Sequence, residues 1–186
     1  MYPRVTDILS PLTTYDQVPE YVMHRAAQRG TTVHALCASI AKHAWVPDNM
    51  VDREHLPYVN SFRLWAEAQV QSFEIVEKRY TDEVAGFSGQ LDFVIKGRDN
   101  ELYLVDIKTS ARPQKTYPLQ MAAYEHLLGL NKVQVKGAML VYLSKVGEFP
   151  EIQYVENIEE CRQVFFAALI CYNYIHKRKS DDSTIT

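Results

Sequence analysis

Residues 90–110, "QLDFVIKGRDNELYLVDIKTS", constrain the fold of this 186-residue chain more than any other stretch. Residues 86–96 and 101–109 are two runs rich in β-branched and aromatic residues, the composition of strands. So short a connection between them allows an antiparallel hairpin, because a parallel crossover needs a dozen residues or more. A two-residue loop, Arg98 and Asp99, would face Asp92 with Val105 and send Asp106 to the other side of the sheet. A three-residue loop of Arg98, Asp99 and Asn100 instead sets Asp92 directly opposite Asp106, and Asn tolerates the left-handed conformation such loops use. Directly opposed residues have Cβ atoms about 5 Å apart. Lys108 then shares the face of Asp106, while Ile107 turns into the core.

Around the hairpin the period of the apolar residues is helical. The run after Pro19 predicts a helix stopped by Gly30, and Thr31 or Thr32 caps a second one. In that second helix Val33, Leu36, Cys37, Ile40, Ala41 and Ala44 form an apolar stripe with His34 beside it. Residues 58–71 predict another helix, 73–80 a strand, 117–129 a helix and 133–145 a buried strand. A long helix follows from an Asn157 and Glu160 capping box, and residues 179–186 make a frayed tail. The helix at 117–129 is a natural crossover to a parallel strand. One domain over residues 1–186 follows, of α/β class, with a mixed central β-sheet flanked by helices.

Composition narrows the function classes. A 47% hydrophobic and 11% aromatic content is enough for a sizeable core. No apolar run approaches the roughly 20 residues that span a bilayer. The opening "MYPRVTDILSP" lacks the pattern of a signal peptide, so a cytoplasmic, intracellular protein without a membrane partner is expected. Cys37, Cys161 and Cys171 include no CxxC pair, which argues for buried apolar residues rather than disulfides or zinc. A net charge of −3 excludes a surface that coats nucleic acid as a whole, but not one basic cleft. Between residues 106 and 136, Lys108, Arg112, Lys115, Lys132 and Lys136 stand against Asp106 and Glu125, a plausible phosphate track. Tyr117, in the loop beside Lys108, is placed to stack on an unpaired base.

Two carboxylates set across a sheet repel unless something cationic lies between them. One reading is a solvated outer face, where Asp92, Asp106 and Lys108 make a surface ion pair worth at most about 1 kcal/mol. The other is a divalent metal, since paired carboxylate oxygens suit hard Mg²⁺, with a lysine stabilising charge on a phosphate.

Gly86, Gly89 and Asp92, then "DIKTS" (106–110), then "QMAAY" (120–124), together resemble the PD-(D/E)XK nuclease superfamily in its RecB-like, Cas4-like branch. "RGTTVH" (29–34) resembles the helix that supplies a histidine in RecB-type and Cas4-type nucleases. "YPRVTDIL" (2–9) is similar to the N-terminal segment of the mitochondrial genome maintenance exonuclease and of phage exonucleases. The resemblance spans residues 2–143 and implies a restriction-endonuclease-like core. It implies that Asp92, Asp106, the Ile107 carbonyl and His34 ligate Mg²⁺ or Mn²⁺, and that Lys108 orients or activates water and stabilises the transition state. Gln120 and Tyr124, one helical turn apart, would contact DNA or the edge of the site. Glu77 is either a further carboxylate or an ordinary solvent-facing strand residue. Gly86 and Gly89 either belong to the signature or mark a bulge that bends the strand. Three cysteines fall short of the four that hold an iron-sulfur cluster in Cas4-type relatives, so no cluster is expected. The function implied is a metal-dependent DNA exonuclease acting on single-stranded ends in recombination, replication or repair, of the kind phages encode. Arg112, Lys115 and Tyr117 would contact the nucleic acid. An endonuclease of the same chemistry and a non-catalytic nucleic-acid-binding module are the competing readings.

Overall fold

The computed structural model of the chain describes residues 2–13, 19–110 and 113–181, with side chains up to His176. Arg112 and the last residues of the expected tail, 182–186, lie outside the described residues.

A mixed five-stranded sheet in the order β1-β2-β3-β4-β5 forms the middle layer. Its strands are β1 (Val70–Asp82), β2 (Phe87–Gly97), β3 (Leu102–Lys108), β4 (Gly137–Tyr142) and β5 (Glu151–Tyr154). β1, β2 and β3 form an antiparallel meander, β3 and β4 run parallel, and β5 returns antiparallel along β4. Helix α4 (Thr116–Leu130) makes the β3-to-β4 crossover that a parallel pair requires. On one face α4 packs with α1 (Val5–Leu9) and α5 (Ile158–Asp181), around Phe87, Leu91, Val94, Leu104, Leu127 and Phe165. On the other, α2 (Glu20–Ala41) and α3 (Leu56–Gln69) cover Phe93, Ile95, Val105 and Ile107 with Phe62 and Trp65. No helix among the described residues is long and apolar enough to cross a membrane.

The hairpin follows the three-residue loop. Gly97 N–H donates to the Glu101 carbonyl at 2.9 Å, and Asn100 takes the left-handed conformation at φ 67°. Paired positions run from Lys96 with Leu102 to Phe93 with Val105.

The helix boundaries differ from those expected. Gly30 ends nothing: α2 runs unbroken from Glu20 to Ala41. A glycine inside a helix costs about 1 kcal/mol relative to alanine, and the contacts of Val33, Cys37 and Ala41 with the sheet outweigh it. β1 starts at Val70, directly out of α3, so residues 70 and 71 are strand rather than helix. Asn157 stands at φ 50°, in left-handed rather than capping-box geometry, while the 3₁₀ turn Ser10–Leu12 and strand β5 carry no local signal strong enough to announce them.

Candidate active site

The β2–β3 ladder stops one position short of the two aspartates. Hydrogen-bonded pairs alternate along an antiparallel ladder, so after Phe93 and Val105 the next such pair would join Leu91 to Ile107. Instead the Ile107 N–H donates to Asp92 Oδ2 at 3.0 Å. A carboxylate has replaced a strand carbonyl, and the sheet opens there. The break also shows in the side chains: Leu91 and Phe93, two apart on one strand, lie in opposite cores. Asp92 sits at this break rather than on a regular face, and its other oxygen, Oδ1, meets His34 Nδ1 of α2 at 3.1 Å.

Asp106 and Lys108 point to the α4 side. Lys108 Nζ lies 2.7 Å from Asp106 Oδ2, donates to Gln120 Oε1 at 3.0 Å, and sits 4.0 Å from the centre of the Tyr117 ring. Gln120 Nε2 in turn donates to the Tyr124 hydroxyl at 2.9 Å and reaches Asp106 Oδ1 at 3.4 Å. The two helix residues therefore hold the lysine–aspartate pair from above. Gly89 of β2 makes room for this arrangement, since a Cβ built there would lie 2.7 Å from the Tyr124 ring. Tyr117 also pairs its hydroxyl with Ser110 Oγ at 3.1 Å.

Burial makes this site unlike a surface ion pair. The Asp106 side chain is 3% exposed and that of Lys108 12%. Burial pushes the Asp106 carboxyl above its ordinary range, with the neighbouring Asp92 charge acting in the same sense against Lys108. For Lys108, burial alone would favour the neutral amine, but the Asp106 carboxylate outweighs it and keeps the ammonium above its ordinary value. His34 follows the same balance: burial opposes its charge, the Asp92 carboxylate overrides burial, and the imidazole is raised to about 8. Burial, then the Asp106 charge, push the Tyr124 phenol upward and keep it neutral.

Two cavities open on either side of His34. One, of about 390 Å³, is lined by His34, Asp92 and Glu77 together with Arg4, Arg79 and Gln90. Glu77 lies across β1 from Asp92 at a left-handed φ of 47°, between the pairs Val76 with Phe93 and Lys78 with Leu91. A non-glycine residue in that conformation is uncommon in a strand. The other cavity, of about 430 Å³, is lined by His34, Lys108, Gln114 and Tyr117, with Arg29 and apolar residues of α2. Arg4 and Arg79 were not singled out by sequence reasoning. Arg79 was legible in principle, two residues from Glu77 on a strand and paired with Gln90.

The described basic residues between 106 and 136 do not make one track. Lys108 is inside the site, and Lys115 precedes the first turn of α4. Lys132 follows the other end of α4, and Lys136 pairs with Asp99 in the hairpin loop, at the far end of β3 from Lys108.

Among the described residues no three His, Cys, Asp or Glu side chains stand grouped as a ready metal site. The donors present nevertheless fit a hard divalent ion. Asp106 Oδ2 is buried against the Lys108 ammonium at 2.7 Å, whereas Oδ1 is met only by a long 3.4 Å contact from Gln120 Nε2. Mg²⁺ keeps most of its waters and takes only one or two protein carboxylates. Both oxygens of Asp92 are engaged, by His34 and by Ile107 N–H, so a ligand role for Asp92 or His34 requires that contact to be exchanged for the ion.

No curated protein matches the chain. Among solved structures, the crystal structure of SSO0001 is similar at a TM-score of 0.39 and 14% identity, over 79% of this chain and 70% of that one. A family model described as the PD-(D/E)XK nuclease superfamily matches residues 11–170, the span that holds the broken ladder, the two aspartates, Lys108 and α4. The chain belongs to the PD-(D/E)XK nuclease superfamily, whose members are nucleases that cut DNA and typically use divalent metals such as Mg²⁺.

Proposed function

We propose that the protein is an Mg²⁺- or Mn²⁺-dependent deoxyribonuclease, an exonuclease that works from single-stranded ends in recombination, replication or repair. The observation that carries this reading is the Asp106 carboxylate, 2% exposed, with Oδ2 held against Lys108 and Oδ1 met only by a long 3.4 Å contact from Gln120. Asp106, Asp92 and the Ile107 carbonyl would hold the ion, with His34 joining them from α2 and Glu77 auxiliary. When bound, the ion supplies Lewis-acid charge to the scissile phosphate.

The remaining work falls to the chain's own groups. Lys108, an ammonium fixed by Asp106 and Gln120, donates to the attacking water or to a phosphate oxygen and balances the charge that grows there. Gln120 and Tyr124 hold that lysine in one rotamer. His34, bridging Asp92 to α2, fixes the wall of the cleft. Lys115, before the first turn of α4, would meet a flanking phosphate, and Tyr117 lies beside the path of the strand.

End-labelled linear and circular DNA, single- and double-stranded, incubated with Mg²⁺, Mn²⁺ or EDTA, tests the reading. Metal-dependent loss of linear single strands, sparing of circles, and silence of Asp106→Asn are expected. Metal-independent cleavage, or wild-type activity in Asp106→Asn, refutes it.

A further inference from the structure

We infer that the cavity on the Lys108 side of His34 is a pocket for one unpaired nucleobase of the strand being cut. The inference rests on the nuclease reading and adds to it where the parts of the substrate go. α2 turns Val22, Met23, Ala26 and Ala27 toward this cavity, linked by spacings of three and four and hence on one face of the helix. Lys108 and Tyr117 close the opposite wall. Val22 is 40% exposed, an apolar side chain left in solvent at the cavity. A volume of about 430 Å³ falls in the range of pockets that enclose small aromatic ligands.

The cavity across His34 lacks such an apolar helix face and is lined mostly by polar and charged groups, the Asp92 and Glu77 carboxylates among them. There Arg4 and Arg79 line the cavity, and guanidinium groups suit phosphate oxygens. A nucleotide strand has the same two sides, charged backbone and flat apolar base. With its phosphate at Lys108 and Asp106, a strand that lays its next phosphate toward Arg4 and Arg79 can place a base against α2. A base paired in a duplex shows only its edges, so an apolar recess accepts it only once it is unpaired and turned out of the stack. Contacts to the ring face read no donor or acceptor pattern, so any base serves.

The test is fluorescence anisotropy of the full-length protein with labelled single-stranded 12-mers, in EDTA and in Ca²⁺, moving a single abasic site through the sequence one nucleotide at a time. Loss of the base at one position, or at two adjacent ones, is expected to weaken Kd roughly 5- to 100-fold, the effect of losing one stacked base, with the other positions unchanged. Ala26→Phe and Ala27→Leu, which fill the cavity, are expected to bind the intact and abasic 12-mers equally. A flat abasic profile in the wild type overturns the inference, as does no binding at all, or an undiminished profile in either folded variant. Cleavage of the unmodified 12-mer with Mg²⁺ or Mn²⁺ is scored separately. Its absence refutes the nuclease reading while the abasic profile still decides the pocket.

Discussion

Gly89→Ala tests whether the site is held together by packing that begins on β2. Gly89 has an ordinary strand conformation, so the effect of a methyl group there is steric. The new Cβ would stand 2.7 and 2.9 Å from two carbons of the Tyr124 ring and 3.0 Å from Leu127 Cδ1. Leu127 is 0% exposed, and Tyr124, 4% exposed, borders the cavity of about 390 Å³, so the ring can yield only toward that side. Restoring contact at about 3.5 Å requires a retreat of about 0.8 Å by the ring or the strand. Overpacking of this kind costs about 1–3 kcal/mol. At about 2–4 °C per kcal/mol for a chain of this size, Tm should fall by about 2–12 °C. The same retreat strains the 2.9 Å bond from Gln120 to the Tyr124 hydroxyl, and Gln120 also holds Lys108. Misplacement of a catalytic group by such a distance lowers turnover by about 10- to 100-fold. Thermal melts and DNA cleavage kinetics should therefore show a lower Tm and a lower kcat with KM little changed. In a Tyr124→Ala background most of the stability loss should vanish, a coupling of about 0.5–3 kcal/mol. A Gly89→Ala protein that melts and cuts like the parent, or strict additivity with Tyr124→Ala, refutes the reasoning.

Lys108→Ala leaves Asp106 buried without its cation, which costs about 3–5 kcal/mol, and abolishes cleavage. Melts with Mg²⁺ and with EDTA should then show a larger metal-induced rise in Tm than for the wild type, and an equal rise counts against Asp106 as the ligand. Asp82, 6% exposed, should set part of the acid limb of stability. Burial opposes its charge, but the Ala85 and Val84 N–H groups and His126 outweigh burial and hold its carboxyl below the ordinary range. A depressed carboxyl stabilises above its unfolded value and loses that contribution as pH falls through its folded value. Asp82→Ala should accordingly be about 1.5–3 kcal/mol less stable at pH 7, with the gap narrowing below about pH 4 in urea titrations; a gap independent of pH is the refuting result. For Gly30→Ala, a Cβ would meet Thr109 Oγ1 at an ordinary 3.7 Å, so the variant should gain about 0.5–1 kcal/mol of stability by denaturant unfolding, and a loss means that the contact is tighter than the geometry indicates.

The parts of the fold that were legible in the sequence depend on short-range rules. Loop length and the tolerance of Asn100 for a positive φ are local, and they gave the correct hairpin register up to Phe93 and Val105. What lay beyond is set by partners distant in sequence. That the ladder would break at Asp92 follows from a carboxylate replacing a carbonyl, and strand alternation carries no sign of it. Gly30 reads as a stop in a local window because its deficit is local, whereas the contacts that carry α2 through it come from the sheet. Gly89 reads as a bulge, yet it provides the space that Tyr124 occupies, thirty-five positions later in the chain. Counting charge along residues 106–136 grouped Lys108 with Lys136, although β3 holds them at opposite ends.

The resting site is compensated within itself. Asp92 faces His34 and Asp106 faces Lys108, two anions against two groups that carry positive charge near neutral pH. This balance lets a protein bury such a cluster, since an isolated buried carboxylate would protonate or unfold the site. The same balance means that a divalent ion enters by competing with cations already in place, and the protein alone offers it little uncompensated charge. A phosphodiester changes that sum by bringing a negative charge into the cleft, where the ion and Lys108 can both answer it. The arrangement therefore favours joint binding of ion and DNA over binding of the ion alone, and it ties the charge needed for catalysis to the arrival of the substrate.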